Sequence, residues 1–302
     1  MGPGISTMQA PVVSTLSGRL RMAAVSVCLL SVACAGPGEA TAPRTNTNSS
    51  DPPTISIVAE DYGFQLPETV PAGRVRFRLT NQGFEAHAAQ LYRLDEGVSL
   101  NRFRESMDIG VTREREVATV VGGPANVDGG EMGPVVEVRL EPGDYAVVCW
   151  LLGPGGFPHA YRGMVGTFRV TGQGDSKSSA PSTEGTFELS DYEIRVPDNF
   201  DGTGTFGVVN RGAEWHELVI LEIGKRQSPD EAIAHVTGIE RQYPKPYTSR
   251  GGVSAVESGG GEATIDLALR PGRYLFLCAV PDAYEVLHAN RGMWTEVTVP
   301  EA

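Results

Sequence analysis

Residues 149–164 read CWLLGPGGFPHAYRGM, and residues 278–293 read CAVPDAYEVLHANRGM. In both stretches a cysteine is followed by a histidine and then by a methionine that comes directly after a glycine, with the same spacing each time. A further histidine lies upstream of each stretch, at His87 and at His216. Every member of the first set recurs 129 positions later. The chain therefore contains an internal duplication that repeats these side chains as a unit.

The duplicated side chains are of the types that bind soft transition metals. A thiolate, two imidazoles and a thioether form the mixed set that holds copper in electron-transfer sites, with the thioether as a weak axial ligand. The chain has only five histidines, and His235 alone lies outside the two sets. The sequence therefore predicts up to two copper sites per chain, formed by His87, Cys149, His159 and Met164 and by His216, Cys278, His288 and Met293.

The duplication extends into the segments around these residues and predicts a β-rich fold. Val136, Val138 and Leu140 alternate with polar residues, and Ile265, Leu267 and Leu269 repeat the alternation, which is typical of half-buried strands. With 37 glycines and 21 prolines, the chain is rich in turns. We predict strands at Thr54–Val58, Val75–Thr80, His87–Tyr92, Tyr145–Trp150 and Gly166–Val170, and at Thr186–Ser190, Thr205–Asn210, His216–Ile223, Tyr274–Cys278 and Thr295–Val299.

One short helix is expected in each repeat. Ser228-Pro229-Asp230-Glu231 combines an N-cap serine, a proline at the first helical position and a glutamate three residues after the cap. Ser99, at the equivalent position of the first repeat, precedes apolar residues at helical spacing. His235 falls in the second helix without a counterpart in the first repeat, and we expect it at the surface.

The N-terminal segment resembles an export signal. Arg19 and Arg21 precede the apolar stretch 23–30, which is too short to span a bilayer as a mature helix and ends in small residues. Signal peptidase cleavage at Ala33-Cys34-Ala35 would release a soluble protein, whereas Val32-Ala33-Cys34 resembles a lipobox whose cysteine carries the lipid. We favour lipidation at Cys34, which would tether the protein to a membrane. Both alternatives predict an exported protein of the bacterial periplasm or cell envelope.

These features predict five segments. Residues 1–34 form the signal peptide, 35–53 a disordered linker, 54–171 the first domain, 172–185 a second linker and 186–302 the second domain. The formal net charge of −12 argues against nucleic-acid binding, since phosphate contacts need clustered basic residues. No glycine-rich phosphate loop follows a strand, and no Ser/His/Asp set is available, so the sequence offers no evident small-molecule substrate site.

The motif resembles that of the cupredoxins, the blue copper proteins such as plastocyanin and azurin. The resemblance rests on Tyr145, Cys149, His159 and Gly163-Met164 with His87 upstream, and on the matching residues of the second repeat, and it covers most of residues 54–171 and 186–299. It implies an all-β chain of two tandem Greek-key β-sandwiches, each with one short helix. It also implies that two histidines and the cysteine lie in a plane around copper, with methionine as the axial ligand.

The predicted function is single-electron transfer to an unidentified redox protein. Multicopper oxidases and copper nitrite reductases also join cupredoxin domains, but they need additional histidines beside the type 1 cysteine. Cys149 is flanked by Val148 and Trp150, Cys278 is flanked by Leu277 and Ala279, and the chain has no His-x-His motif. We therefore expect no enzyme activity. The alternatives are a metal-free cupredoxin-like binding module of the envelope and a periplasmic copper carrier.

Overall fold

The structure is a computed structural model that describes residues 52–109, 113–173, 180–240 and 244–301. Outside these ranges lie the predicted signal peptide with Cys34, nearly all of the first linker and part of the second linker.

The fold is mostly β, as predicted. Its strands are β1 Thr54–Glu60, β2 Gly63–Gln65, β3 Thr69–Pro71, β4 Gly73–Asn81, β5 Gln90–Leu94, β6 Ala118–Gly122, β7 Met132–Leu140, β8 Gly143–Val148, β9 Val165–Thr171, β10 Gly185–Ser190, β11 Glu193–Arg195, β12 Thr203–Asn210, β13 His216–Ile223, β14 Tyr247–Val256, β15 Glu262–Ala268, β16 Gly272–Leu277 and β17 Trp294–Val299, and its helices are α1 Leu100–Ile109 and α2 Pro229–Val236.

Each repeat contributes strands to two facing sheets, and the apolar faces of these strands form the core. Val136, Val138 and Leu140 of β7 are buried, as their alternation predicts, and Ile265 and Leu267 of β15 are buried in the same way. The last member of the second alternation, Leu269, is only half-buried and lies just beyond β15. The all-β class and the sandwich architecture of both repeats are therefore confirmed.

Both sheets continue from one repeat into the other. The first sheet has the order β11-β10-β12-β15-β7-β4-β1-β2, and the second has the order β17-β16-β13-β14-β6-β5-β8-β9-β3. The repeats are joined in the first sheet by β15 and β7, where Ile265 pairs with Val136, and in the second sheet by β14 and β6, where Val256 pairs with Val121. The described residues between 52 and 301 consequently form one compact unit, although the domain bounds themselves stay a prediction.

Polar contacts reinforce the junction between the repeats. The Gln90 side-chain amide donates hydrogen bonds to the carbonyl oxygens of Gly122 (3.2 Å) and Ala255 (3.0 Å). Asp128 of the first repeat forms an ion pair with Lys245 and accepts a hydrogen bond from the Ser249 amide at 3.1 Å. The contacts of Gln90 with Ala255 and of Asp128 with Lys245 and Ser249 cross the junction and keep the two repeats in a defined register.

Both predicted helices are present. Ser228 caps α2 by accepting a hydrogen bond from the Glu231 amide at 3.2 Å, while the Glu231 carboxylate accepts one from the Ser228 amide at 2.9 Å. In the first repeat, the Ser99 hydroxyl accepts a hydrogen bond from the Arg102 amide at 3.2 Å. The expected surface position of His235 is wrong, because this side chain is half-buried and lies 3.1 Å from the Tyr247 hydroxyl.

The strand predicted from His87 begins three residues later, at Gln90. His87 forms an isolated bridge with Val127, and the Ala89 amide donates to the Pro124 carbonyl at 2.9 Å. Proline has no N–H to return a hydrogen bond, so a regular ladder cannot form there. The residue equivalent to Pro124 in the second repeat is Val253, which pairs with Leu218. There β13 begins at His216, as predicted.

Neither helix within the described ranges is both long and apolar enough to cross a membrane.

Candidate metal centres

Three elements deliver the candidate ligands to one end of each sandwich. Cys149 directly follows β8, and His159 opens a one-turn 3-10 helix that ends at Arg162. Gly163 stops this turn with a left-handed backbone (φ 98°), a conformation that glycine adopts without steric cost, and the chain then continues into β9. The second repeat uses the same devices, with Cys278 after β16, His288 opening the turn and Gly292 at φ 94°.

The ten-residue step from cysteine to histidine folds back on itself as a small hairpin. Leu152 forms a bridge with Pro158, and the His159 amide donates to the Leu151 carbonyl at 2.9 Å. In the second repeat Pro281 forms a bridge with Leu287, and the His288 amide donates to the Val280 carbonyl at 2.9 Å. The hairpin returns each histidine to its cysteine, so the ten-residue spacing does not separate the two donors.

The first site brings His87, Cys149 and His159 together in the interior. The Nδ1 atoms of the two histidines lie 3.1 Å apart, and Cys149 Sγ lies 3.9 Å from His87 Nδ1 and 3.5 Å from His159 Nδ1. All three side chains are buried. A point in the plane of this triangle lies about 2 Å from each of the three donor atoms. This distance is about the length of a bond from a metal to nitrogen or sulfur.

The second site repeats this geometry. The Nδ1 atoms of His216 and His288 lie 3.0 Å apart, and Cys278 Sγ lies 3.9 Å and 3.4 Å from them. Its donor atoms also surround a point about 2 Å from each. Two nitrogens and a thiolate in a buried triangle suit copper, up to two ions per chain. Among the described residues, no third group of such side chains is found.

The sandwich fold and the two buried donor triangles agree with the family resemblance drawn from the sequence. Each of the two repeats has a cupredoxin-like β-sandwich fold. No family model and no curated protein matches it.

Several solved structures of copper proteins are similar to this chain at low identity. Auracyanin A, a blue copper protein from Chloroflexus aurantiacus, is 20% identical over 39% of this chain and 99% of its own length, with a TM-score of 0.27. Reduced auracyanin from Roseiflexus castenholzii is 19% identical over 39% of this chain and 97% of its own, with a TM-score of 0.28. The copper nitrite reductase of Nitrosomonas europaea is 14% identical over 82% of this chain and 93% of its own, with a TM-score of 0.23. Similarity at this level does not assign a function.

Met164 and Met293 lie beside the donor triangles of the two repeats. Both are fully buried. The Met164 amide donates to the His159 carbonyl at 3.1 Å, and its carbonyl accepts from the Cys149 amide at 3.3 Å. The equivalent bonds of Met293, to His288 and Cys278, are 3.0 Å and 3.1 Å. The backbone thus places each methionine next to two donors, and axial ligation by its thioether stays a prediction.

Each histidine of the two donor triangles is held through its other ring nitrogen by a carboxylate. His87 Nε2 lies 3.2 Å from Asp61 and His159 Nε2 lies 2.7 Å from Glu85. The distances in the second repeat are 2.9 Å, from His216 to Asp191, and 2.7 Å, from His288 to Glu214. A carboxylate that accepts from Nε2–H fixes the tautomer and leaves the Nδ1 lone pair directed into the triangle.

The sequence analysis did not predict these four carboxylates, although acidic residues recur at equivalent or nearly equivalent positions of the two repeats. Glu85 and Glu214 follow the 129-residue offset, whereas Asp61 and Asp191 differ by 130 positions. The Asp-Tyr dipeptides at 61–62 and 191–192 therefore fall one position out of register. Both tyrosines have positive φ angles, 68° and 67°, and each ring meets the second histidine of its repeat edge-on at 5.4 Å.

Burial disfavours the charged forms of Cys149, Cys278, His87, His216 and His288 in the metal-free protein. It raises the pKa of the Cys149 thiol to about 12 and also raises the pKa of the Cys278 thiol, because the interior solvates a thiolate poorly. Burial likewise lowers the pKa of His87, His216 and His288. Neutral imidazoles are ready to bind a metal, and the metal ion must displace the thiol proton.

The second site has an additional carboxyl group that the first site lacks. The Glu217 amide donates to Cys278 Sγ at 3.4 Å, and its carboxylate accepts from the Ala279 amide at 3.0 Å. Burial raises the pKa of this carboxyl group to about 7. The equivalent residue of the first repeat is Ala88, whose amide donates to Cys149 Sγ at 3.5 Å. The two donor triangles are alike, but their electrostatic surroundings differ.

Removal of the Glu85 carboxylate is expected to weaken copper binding at the first site by about 10- to 100-fold, because His159 loses the partner that orients it. We would measure this with Glu85→Ala in a Cys278→Ser background, where only the first site loads, by competition with a copper chelator. Glu141→Ala, which removes an exposed carboxylate of the same repeat, serves as the control and is expected to leave the affinity unchanged. Equal affinities in the two variants would contradict the role assigned to Glu85.

Proposed function

We propose that the chain is a two-site electron carrier in which each cupredoxin repeat holds one copper ion. The observation that carries this proposal is the pair of buried triangles of two nitrogens and one sulfur, each with its histidines held by carboxylates. A copper ion in such a site cycles between Cu(I) and Cu(II) and so accepts or releases one electron.

The protein groups support electron transfer by holding the donor atoms still. Both cysteines follow a strand, both second histidines sit in a hydrogen-bonded turn, and the carboxylates keep the imidazole rings in place. The three donor residues of each site are buried, so water is kept away from them. A site that changes little between its two redox states exchanges an electron with little reorganisation.

We also propose that the chain is a carrier and not an oxidase or reductase. Four of its five histidines belong to the two triangles, and the fifth, His235, lies next to Tyr247. The residues on either side of Cys149 and Cys278 are not histidines. A second type of copper centre built from histidines of the same chain therefore has no set of ligands to use.

The test is to load the purified chain with Cu(II) and to measure bound copper, the visible spectrum and reversible reduction. We expect two copper ions per chain and an intense thiolate-to-copper absorption band that bleaches with ascorbate and returns on chemical oxidation. Oxygen and nitrite consumption, followed with excess reductant, should stay at the level of the buffer. A chain that binds no copper would favour the metal-free binding module, and steady turnover of either substrate would favour an enzyme.

We further propose that the protein is exported and tethered through a lipid on Cys34, as its N-terminal segment predicts. The proposal rests on residues 19–34 of the sequence alone. Membrane fractionation of the expressing cell, with Cys34→Ser as the comparison, tests it. Equal distribution of the two forms would contradict lipidation.

A further inference from the structure

Three aromatic side chains lie in a row between the two donor triangles. They are Trp150, Tyr92 and Trp215, and we refer to them as the aromatic bridge. Trp150 directly follows the ligand Cys149, and Trp215 directly precedes the ligand His216. Tyr92 lies between them on β5, next to the central strand β6 of the second sheet. The aromatic bridge therefore begins one residue from a ligand of the first site and ends one residue from a ligand of the second.

Direct contacts join its three members. Trp150 Nε1 donates a hydrogen bond to the Tyr92 hydroxyl at 2.8 Å. The Tyr92 and Trp215 rings pack edge-to-face with their centroids 6.2 Å apart. Tyr92 and Trp215 are buried, and Trp150 is half-buried. The path from Cys149 to His216 thus consists of covalent bonds, one short hydrogen bond and one ring contact, in an interior from which water is largely excluded.

The aromatic bridge is not part of the duplicated architecture. The positions equivalent to Trp150, Tyr92 and Trp215 in the other repeat hold Ala279, Leu221 and Ala86. Both repeats form the same sandwich and the same donor triangle, so neither the fold nor the ligand set requires these aromatic residues. Tyr92 belongs to the first repeat and Trp215 to the second, so their ring contact crosses from one repeat to the other.

Neighbouring groups keep the bridge neutral and in position. Burial raises the pKa of Tyr92 well above its ordinary value, so its hydroxyl stays protonated and accepts the Trp150 hydrogen bond. The Arg115 guanidinium lies 4.3 Å from the centre of the Trp215 ring and donates to the Pro281 carbonyl in the ligand loop of the second site at 3.3 Å. Trp215 Nε1 donates to Glu257 at 3.0 Å. Trp215 is therefore held by contacts beyond the bridge itself.

We propose that the aromatic bridge is the path by which an electron passes between the two copper sites of one chain. This inference rests on the proposed function. In the step, Cu(I) at one site is oxidised to Cu(II) while Cu(II) at the other is reduced to Cu(I). No bond forms or breaks and no proton is released, because the electron tunnels through the bridge and leaves its residues in their closed-shell state. The chain is then an internal relay that can take an electron at one repeat and deliver it from the other.

A photoreductant placed beside the first site tests the path. A cysteine at the exposed position Phe84, next to Glu85, is labelled with a ruthenium polypyridine complex in the fully copper-loaded chain. A flash moves one electron from the label to the Cys149 site, and its return to the oxidised label is followed. Electrons that move on to the Cys278 site return late, so a slow phase reports internal transfer. The same label in a Cys278→Ser chain should show only the fast return.

Two substitutions remove the hydrogen bond of the bridge from opposite sides. Tyr92→Phe and Trp150→Phe are each expected to slow the internal step several-fold, and the double variant should be no slower than the slower single variant, because both remove the same link. Tyr145→Phe is the matched control, since Tyr145 is a buried tyrosine of the same repeat whose hydroxyl donates to Glu141 at 2.8 Å away from the bridge. It should leave the rate unchanged. The two copper bands and the melting temperature of each variant confirm that it is folded and loaded.

The outcomes separate the inference from the proposed function. If the unmodified chain does not bind copper, the proposed function is contradicted. Two intact copper bands without a slow phase would show that no electron passes between the sites, and would overturn the inference alone. A slow phase with an unchanged rate in both Tyr92→Phe and Trp150→Phe would show that the electron takes another route, and would overturn it as well.

Discussion

Replacing Cys149 and Cys278 together by serine is expected to abolish the thiolate-to-copper absorption band completely. Serine has nearly the same shape but does not supply a thiolate, and the visible band of such a site arises from the bond between sulfur and copper. Each triangle has only one sulfur among its three converging donors, so no other member can replace it. Each single variant should keep one of the two sites and about half of the absorbance, because the ligand sets are equivalent and separate.

The duplication provides the control for this experiment. Cys149→Ser and Cys278→Ser test the same chemistry in two repeats of one chain, and copper analysis of each should give one fewer tightly bound ion than the unmodified protein. Far-ultraviolet circular dichroism should be unchanged in all variants. If one substitution removes the entire band and the other has no effect, only one repeat is a copper site. A band that survives in the double variant would contradict cysteine ligation.

Replacing Glu114 by glutamine is expected to stabilise the metal-free protein at pH 8 by about 3 kcal/mol. Glu114 is buried in the 3-10 turn that follows α1, and its Oε2 atom has no hydrogen-bond partner among the described residues. Burial raises the pKa of this carboxyl group from 4.5 to about 7. The folded chain therefore holds a proton that the unfolded chain releases.

The direction of the pH dependence follows from these two values. Between pH 4.5 and 7 the native state binds more protons at Glu114 than the unfolded state, so the free energy of unfolding falls as the pH rises through this window. Glutamine carries no charge at any of these pH values, and Glu114→Gln should lack this part of the fall. Burial also raises the pKa of Glu217 to about 7, so the variant should retain some pH dependence.

Urea unfolding of the metal-free protein at pH 5 and pH 8 measures both effects. Glu116→Gln is the matched control, because Glu116 lies in the same 3-10 turn with its side chain exposed. It should change the stability little at either pH. If Glu114→Gln and the unmodified protein lose the same free energy of unfolding between pH 5 and pH 8, then Glu114 is not buried as an acid in the folded chain.

Most of the candidate site could be predicted from the sequence because its information is local. Cys149, His159 and Met164 lie within one loop and the start of one strand, and the duplication shows which positions belong together. The strand alternation at Val136 and the capping box at Ser228 are also local patterns, and both predict the observed elements. The start of β5 was misplaced because its partner segment contains Pro124, which interrupts the ladder from another part of the chain.

Other features depend on residues that are far apart in sequence. Asp61 meets His87 only because β1 lies beside β4 in the folded chain, and the one-residue shift to Asp191 hides this pair from a comparison at a fixed offset. Glu217 has no counterpart in the first repeat, and its effect on Cys278 becomes visible only when β13 and β16 are paired. The half-burial of His235 likewise follows from its position against Tyr247 of β14.

The β-rich class, the duplication and the order of the soft donors can be read from the amino-acid sequence, because strand periodicity and ligand spacing are properties of short segments. The continuation of both sheets through both repeats and the contacts among Trp150, Tyr92 and Trp215 appear only in the folded chain. Strand pairing and side-chain packing join residues whose separation along the chain carries no periodic signal. The residues of the two candidate sites can be identified from the sequence, whereas the aromatic contacts between the sites result from the packing of the repeats.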